Sequence, residues 1–238
     1  MTSSAIDYFS IQHPLRGLAS RISFRVRRHI FDLFMAAMNP RPTDRILDVG
    51  ATPDEILPES NFFEMFYPYP NQLTVTSIED ASFLENRYPG LRFVRTDAGD
   101  LPFDDLSFDI VFCSAVLEHV GNRDRQHQFI GELVRVSRKF FVITPNRQFP
   151  VEIHTFLPLI HWLPQPIHQW ILRKLGLDFW AQTNNLNLLT PRTLKSLFPD
   201  TVDIHINRLK LLGLPSNIVA WGDGREGSVR QKSVISSG

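Results

Sequence analysis

The stretch RILDVGATPDE, residues 45–55, decides how this chain is read. Ile46, Leu47 and Val49 form a short apolar run of the kind found in a buried strand, and Asp48-Val49-Gly50 leads into a turn where a backbone could approach a nucleotide-type cofactor. There the glycines stop, and Ala51, Thr52 and Pro53 follow. A phosphate cradle needs several backbone N–H donors at close range, and Pro53 has none to give. The loop therefore argues against a dinucleotide more than against a cofactor without phosphate. A carboxylate end needs one or two donors, and Thr52 supplies a hydroxyl.

Outward from this stretch the chain alternates between two periods. LTVTSIE (73–79), LRFVRTD (91–97), FDIVFCS (108–114) and KFFVITP (139–145) read as further strands. NRDRQHQFIGELVRVS (122–137) reads as a helix, with Phe129, Leu133 and Val136 on one side. Strands joined by helices imply a parallel sheet covered on both faces, a Rossmann-like doubly wound α/β fold whose ligand site lies at the carboxyl ends of the strands. Residues 202–222 supply two closing strands expected to pair antiparallel. Upstream, residues 20–38 place Ile22, Val26, Ile30, Leu33, Phe34 and Ala37 at helical spacing, with Arg21, Arg25 and Arg28 on another face. Packing on the sheet is the expectation for this helix, with a membrane surface as the alternative. Thr190-Pro191 reads as the cap and first turn of a late helix.

Three segments follow: a helical lead-in over 1–43, the α/β domain over 44–221, and a tail over 222–238 without apolar pattern and expected to be disordered. Within the domain, residues 146–185 are rich in Phe, Trp, His and Pro, too long and apolar for a connector. They read as a helical insertion after the fifth strand that acts as a lid over the ligand edge of the sheet.

The 25 basic and 25 acidic residues cancel, so no electrostatic pull toward nucleic acid is expected. Cys113 is the only cysteine, which excludes an internal disulfide and a cysteine-based metal cluster. The start lacks a basic region followed by an apolar run, so no secretory signal is expected. Nor does any window reach the roughly 18 apolar residues of a membrane span. A cytoplasmic setting is expected, with contact at the inner face of a membrane if the substrate is lipid-linked. Oligomeric state is not legible.

A cofactor with a ribose and an adenine makes three demands on such a sheet. The backbone must come close after the first strand, where Asp48, Gly50 and Thr52 lie. A carboxylate after the second strand must accept from the ribose hydroxyls, and Glu79 is placed for that. A polar group after the third strand must meet the base, and Asp97 is there. Each residue alone could be a helix cap or a solvated turn; their order along one sheet edge is the signal. Gly50 and Glu79 are 29 positions apart, more than the roughly 20 of a compact dinucleotide unit, so residues 56–72 must hold a longer loop and a short helix.

With these residues in place, ILDVG, SIED and above all DAGDLPFDDLSFDIV followed by AVLEHV resemble the class I S-adenosylmethionine-dependent methyltransferases, in their type 11 small-molecule branch. The resemblance covers about residues 44–145. It implies a seven-stranded sheet with a reversed last strand, S-adenosylmethionine as cofactor, and methyl transfer to a small-molecule, glycan or lipid-linked acceptor. By the resemblance, Asp48 and Gly50 border the methionine part, Glu79 holds the ribose, and Asp97 and Ala98 meet the adenine. Ser114 and Ala115 then face the sulfonium. The chain departs from the family in its glycine-poor loop. That departure motivates a catalytically silent binding module as the alternative, while a nicotinamide-dependent oxidoreductase lacks its glycine turn.

On the acceptor side, His154 and His119 are the candidate bases. His154 comes soonest after the fifth strand, with Glu152 beside it, and His119 follows the fourth. Packing or loop roles are the competing readings. Asn146 and Arg147 are candidates to orient a polar acceptor. His154, His161 and His168 recur every seven residues, but prolines interrupt the segment, so no metal site is expected.

Overall fold

The computed structural model describes residues 16–57 and 60–224. The readings made on residues 1–15 and 225–238, and on the side chains of Arg21 and Ile22, lie outside the described residues. The elements are α1 (Arg16–Met38), β1 (Ile46–Val49), α2 (Phe62–Phe66), β2 (Leu73–Ser77), α3 (Phe83–Arg87), β3 (Arg92–Arg95), β4 (Phe108–Ser114), α4 (Arg123–Val136), β5 (Ser137–Pro145), α5 (Gln165–Lys174), α6 (Pro191–Lys195), β6 (Asp203–Leu211) and β7 (Leu214–Asp223). They form one seven-stranded sheet in the order β3-β2-β1-β4-β5-β7-β6. β1 to β5 pair in parallel. β7 pairs antiparallel with both β5 and β6, so it alone is reversed. β7 reaches Asp223, just inside the stretch read as tail.

The two faces of the sheet bury different cores. On one, Phe34 of α1 meets Phe63, Phe112 and Phe141 edge to face at 5.0, 5.4 and 5.5 Å between ring centroids. Phe63 of α2 stacks on Phe112 of β4 at 4.1 Å. Such arrangements suit ring quadrupoles and add about 0.5–1.5 kcal/mol per pair beyond area burial. The leading helix thus packs on the sheet through Ile30, Phe31, Phe34 and Met38, with Arg25 and Arg28 exposed. On the other face, Phe129, Ile130 and Leu133 of α4 and Leu194 of α6 cover Val111, Phe140 and Val142. Asn122 caps α4 by accepting from the Arg125 N–H, and Thr190 caps α6 in a reciprocal box with Thr193. No helix among the described residues is long and apolar enough to cross a membrane.

Between β5 and α6 the chain makes a short 3-10 turn at Ile160–Trp162 and one ten-residue helix, α5, with irregular backbone around them. Phe156 and Leu159 take left-handed φ of 56° and 61°, a conformation that costs a non-glycine residue about 1–3 kcal/mol.

The site position follows from strand order. β1 lies between β2 and β4, so the connections leaving β1 and β4 depart in opposite directions and open a crevice between them. Gly50 sits at that point with φ of +106°, and a Cβ there would stand 2.1 Å from Val116 Cγ2. One glycine is required by both backbone and space. Ala51, Thr52 and Pro53 take no positive φ, which is why the loop tolerates the loss of the others.

Candidate active site

The crevice holds a small pocket open to solvent, lined among others by Asp48, Gly50, Asn61, Glu64, Phe112 and Ser114. Asp48 is in register with Val75 and Phe112, so it points to the face that α2 covers. Glu64 of α2 arrives beside it, and both carboxyls are buried. Burial first, and then the neighbouring Glu64, pushes the Asp48 carboxyl well above the usual range; burial raises Glu64 as well. Glu64 Oε1 finds no hydrogen-bond donor among the described residues. Burial and mutual repulsion thus favour a proton on the pair, and Glu64 Oε1 is left for a donor or a cation to answer.

The loop over this cavity is bonded to itself. Gly50 and Ala51 donate their N–H groups to Thr76 O at 2.9 and 3.1 Å. Asn61 clamps Thr52 from both sides, accepting from its N–H at 2.9 Å and donating to its carbonyl at 3.0 Å. The Thr52 hydroxyl accepts only a long bond, 3.4 Å, from the Asp54 N–H. Asp54 in turn gathers Ile56 N–H at 2.8 Å and Ser60 Oγ at 2.6 Å.

Of the cofactor candidates, Asp48, Gly50 and Ser114 line this cavity together; Thr52, Glu79, Asp97, Ala98 and Ala115 do not. Glu79 stands half-buried past the end of β2, its N–H donating to Ser77 Oγ at 3.2 Å. Asp97 is exposed after β3, and its Oδ1 accepts from Gly99 N–H at 2.8 Å. Ala115 has φ of 57° and is tied by its N–H to Ile143 O at 2.9 Å.

A second cluster lies beyond the ends of β4 and β5. The His119 and His154 rings meet edge to face at 4.8 Å, and Trp180 lies 4.9 Å from His154. His119 Nδ1 donates to Asn185 O at 2.7 Å, and burial lowers its pKa, so it is neutral with its lone pair on Nε2. His154 Nδ1 donates to Glu152 Oε1 at 2.6 Å. Burial alone would raise the Glu152 carboxyl, but bonds from the His154 ring and backbone and from Thr155 draw it down to about 2. Glu118 is fully buried; Oε2 accepts from Thr144 Oγ1 at 3.0 Å, and Oε1 lies 3.8 Å from His119 Nε2.

The remaining acceptor-side candidates have structural bonds. Arg147 donates to the carbonyls of His161 and Leu163, both at 3.1 Å. Asn146 Nδ2 donates to Pro215 O at 2.9 Å. His161 Nε2 bonds to Phe149 O at 2.8 Å, so the seven-residue histidine spacing does not build one cluster. Sequence reasoning missed Glu64 and Glu118. Each is an acid inside an apolar run, NFFEMF and AVLEHV, and that mismatch was the available signal.

Known proteins share this fold and part of this sequence. Residues 64–140 match the family model described as a methyltransferase domain. The chain has the fold of the class I S-adenosylmethionine-dependent methyltransferases. It is 27% identical over 135 residues to the ubiquinone biosynthesis O-methyltransferase of Coxiella burnetii, covering 52% of this chain and 58% of that one. The phthiotriol/phenolphthiotriol dimycocerosates methyltransferase of Mycobacterium tuberculosis is 45% identical over 65 residues, 27% of this chain and 21% of its own. The chain thus spans little more than half the length of the first relative and about a fifth of the second. The N-methyltransferase NodS of Bradyrhizobium japonicum, solved with S-adenosyl-L-homocysteine, superposes with a TM-score of 0.56 at 12% identity, covering 91% of this chain and 94% of that one.

Proposed function

We propose that the chain methylates a small-molecule, glycan or lipid-linked acceptor with S-adenosylmethionine. The observation that carries the reading is the buried Asp48–Glu64 pair beside Gly50, an acidic pocket at the switch point of a methyltransferase sheet. It fits the ammonium and sulfonium charges of that cofactor, which supplies a methyl already activated for in-line displacement. In this reading Asp48, Gly50 and Ser114 receive the methionine end, with Thr52 and Ala115 at its border. Glu79 takes the ribose hydroxyls, and Asp97 with Ala98 the adenine.

The acceptor's proton goes to His154 Nε2. Glu152 keeps the opposite nitrogen protonated and so presents a basic lone pair. His119 packs against that ring and is the alternative base.

Residues 146–185 serve as the lid that selects the acceptor. Phe156, Leu159, Trp162, Ile167, Trp170 and Phe179 are exposed there, a concentration that supports an acceptor with a long apolar part at a membrane edge. The backbone clamp on Thr52 favours the second reading, a module that binds the cofactor without turnover. Calorimetry with S-adenosylmethionine, followed by transfer of radiolabelled methyl to quinone-precursor, glycan and polyprenyl acceptors, tests both. No cofactor binding sinks the two readings together; binding with no transfer to any acceptor class leaves the silent module.

A further inference from the structure

The cluster at the ends of β4 and β5 has the donor set of a metal centre. We propose that Glu118, His119 and His154 bind one divalent transition cation of the zinc or cobalt type. Glu118 comes from the turn after β4 and His154 from beyond β5, so the fold brings together two histidines that stand 35 positions apart in the chain. Their ligand atoms lie within 4.8 Å of one another. Bonds of about 2.1 Å to a tetrahedral cation place ligands about 3.4 Å apart, so movements of about 1 Å close the set.

Two observations separate this cluster from a chance meeting of polar side chains. The first is Glu118 Oε1. It is fully buried, has no hydrogen-bond partner among the described residues, and lies 3.8 Å from His119 Nε2. A buried carboxylate oxygen left in that state is costly unless a proton or a cation answers it. Glu118 Oε2 is already held by Thr144, which leaves Oε1 as the oxygen facing the histidines.

The second is the tautomer of each ring. Asn185 O fixes the proton of His119 on Nδ1, and Glu152 does the same for His154. Both rings therefore carry their lone pairs on Nε2. A carbonyl or carboxylate behind the far nitrogen is the usual support of a ligating histidine, since it sets orientation and raises basicity. Two imidazoles and one carboxylate suit zinc or cobalt better than magnesium or calcium, which prefer oxygen alone.

The role of such a cation rests on the methyl-transfer reading above: a Lewis acid here would hold and acidify an acceptor hydroxyl. His154 would then be a ligand and not the base. Binding itself does not depend on that reading. The test uses the full chain, stripped with chelator, titrated with Zn²⁺ by calorimetry and with Co²⁺ by its visible absorption. One equivalent per chain is expected, and His154→Ala and Glu118→Gln should each weaken uptake by at least about 10-fold, the lower end of what loss of an outer partner costs. In the native Co²⁺ protein, NMR should show two exchangeable hyperfine-shifted signals from the two Nδ1–H groups, a readout that needs no variant. Absence of Zn²⁺ and Co²⁺ uptake, native affinity in both variants, or absence of those signals overturns the site. S-adenosylmethionine titrated into the same samples tests the methyltransferase reading separately: cofactor binding without metal uptake removes the cation and leaves that reading standing.

Discussion

On the β1 side of the crevice, Asp48 and Glu64 are buried against phenylalanine rings and against each other, Glu64 Oε1 has no donor among the described residues, and both carboxyls are pushed above the ordinary range. On the β5 side, Glu152 is equally hidden from solvent, yet it accepts four hydrogen bonds from His154 and Thr155 and titrates at about 2. Burial is common to both regions, so burial does not decide the outcome. The neighbours do: a second carboxyl on the β1 side, four hydrogen-bond donors on the β5 side. The β1 side keeps one carboxylate oxygen, Glu64 Oε1, without a donor among the described residues. The β5 side is already satisfied, and its carboxylate holds a histidine in one orientation.

The largest expected effect tests the division of labour itself. His154→Ala should lower turnover by about 10²–10⁴-fold if the ring takes the acceptor proton, while cofactor affinity stays near native. Steady-state rates and calorimetry on one folded variant decide it. Loss of cofactor binding would put His154 on the β1 side and dissolve the comparison.

Next comes acid stability. The Glu152 carboxyl is depressed in the fold, so its contribution is complete above its unfolded value of about 4.5 and is lost as pH falls toward about 2. That share is about 3 kcal/mol by linkage. Urea midpoints from pH 6 to pH 2 should fall steeply for the native chain and much less for Glu152→Gln. Parallel slopes would mean that Glu152 is not stabilised by its four bonds.

Asp48 carries the opposite sign. A carboxyl raised in the fold favours folding while protonated and loses that share as pH rises through its folded value. Asp48→Asn removes this loss, and the new amide can donate to Glu64 Oε1. The cofactor-free variant should gain about 1 kcal/mol at neutral pH while its affinity for S-adenosylmethionine falls. A variant that is less stable and binds normally would contradict the receptor role of the pair.

The smallest effect is expected at Thr52. Its backbone is held by Asn61 and its hydroxyl accepts one long bond. Thr52→Val should change cofactor affinity by about 0.5 kcal/mol, the low end for one hydrogen bond. A tenfold loss in calorimetry would show that the hydroxyl replaces the missing glycine donors.

Most of the frame was legible in the residues. The runs at 45–50, 73–79, 91–97, 108–114 and 139–145 all became strands, 108–114 end to end and the others trimmed or extended by a few residues. Thr190-Pro191 capped a helix as read, and the short helix required between Gly50 and Glu79 is α2. Asp48, Gly50 and Ser114 meet at one cavity because each ends or adjoins a strand, and strand ends are local features. Arg147 and Asn146 looked equally available in sequence; the structure spends them on backbone carbonyls that only a folded turn brings near.

The sequence by itself determined the alternation of strand and helix, the switch-point crevice that this alternation implies, and the single glycine that lets β1 turn beneath Val116. Those follow from side-chain period and from backbone limits, which act over a few residues. Only the tertiary structure decided which charges face one another. Glu64 reaches Asp48 because α2 folds back over the sheet, and His119 reaches His154 because β4 and β5 lie side by side. Their protonation follows from those meetings, since a carboxyl's charge depends on the donors the fold places around it and not on its neighbours in the chain.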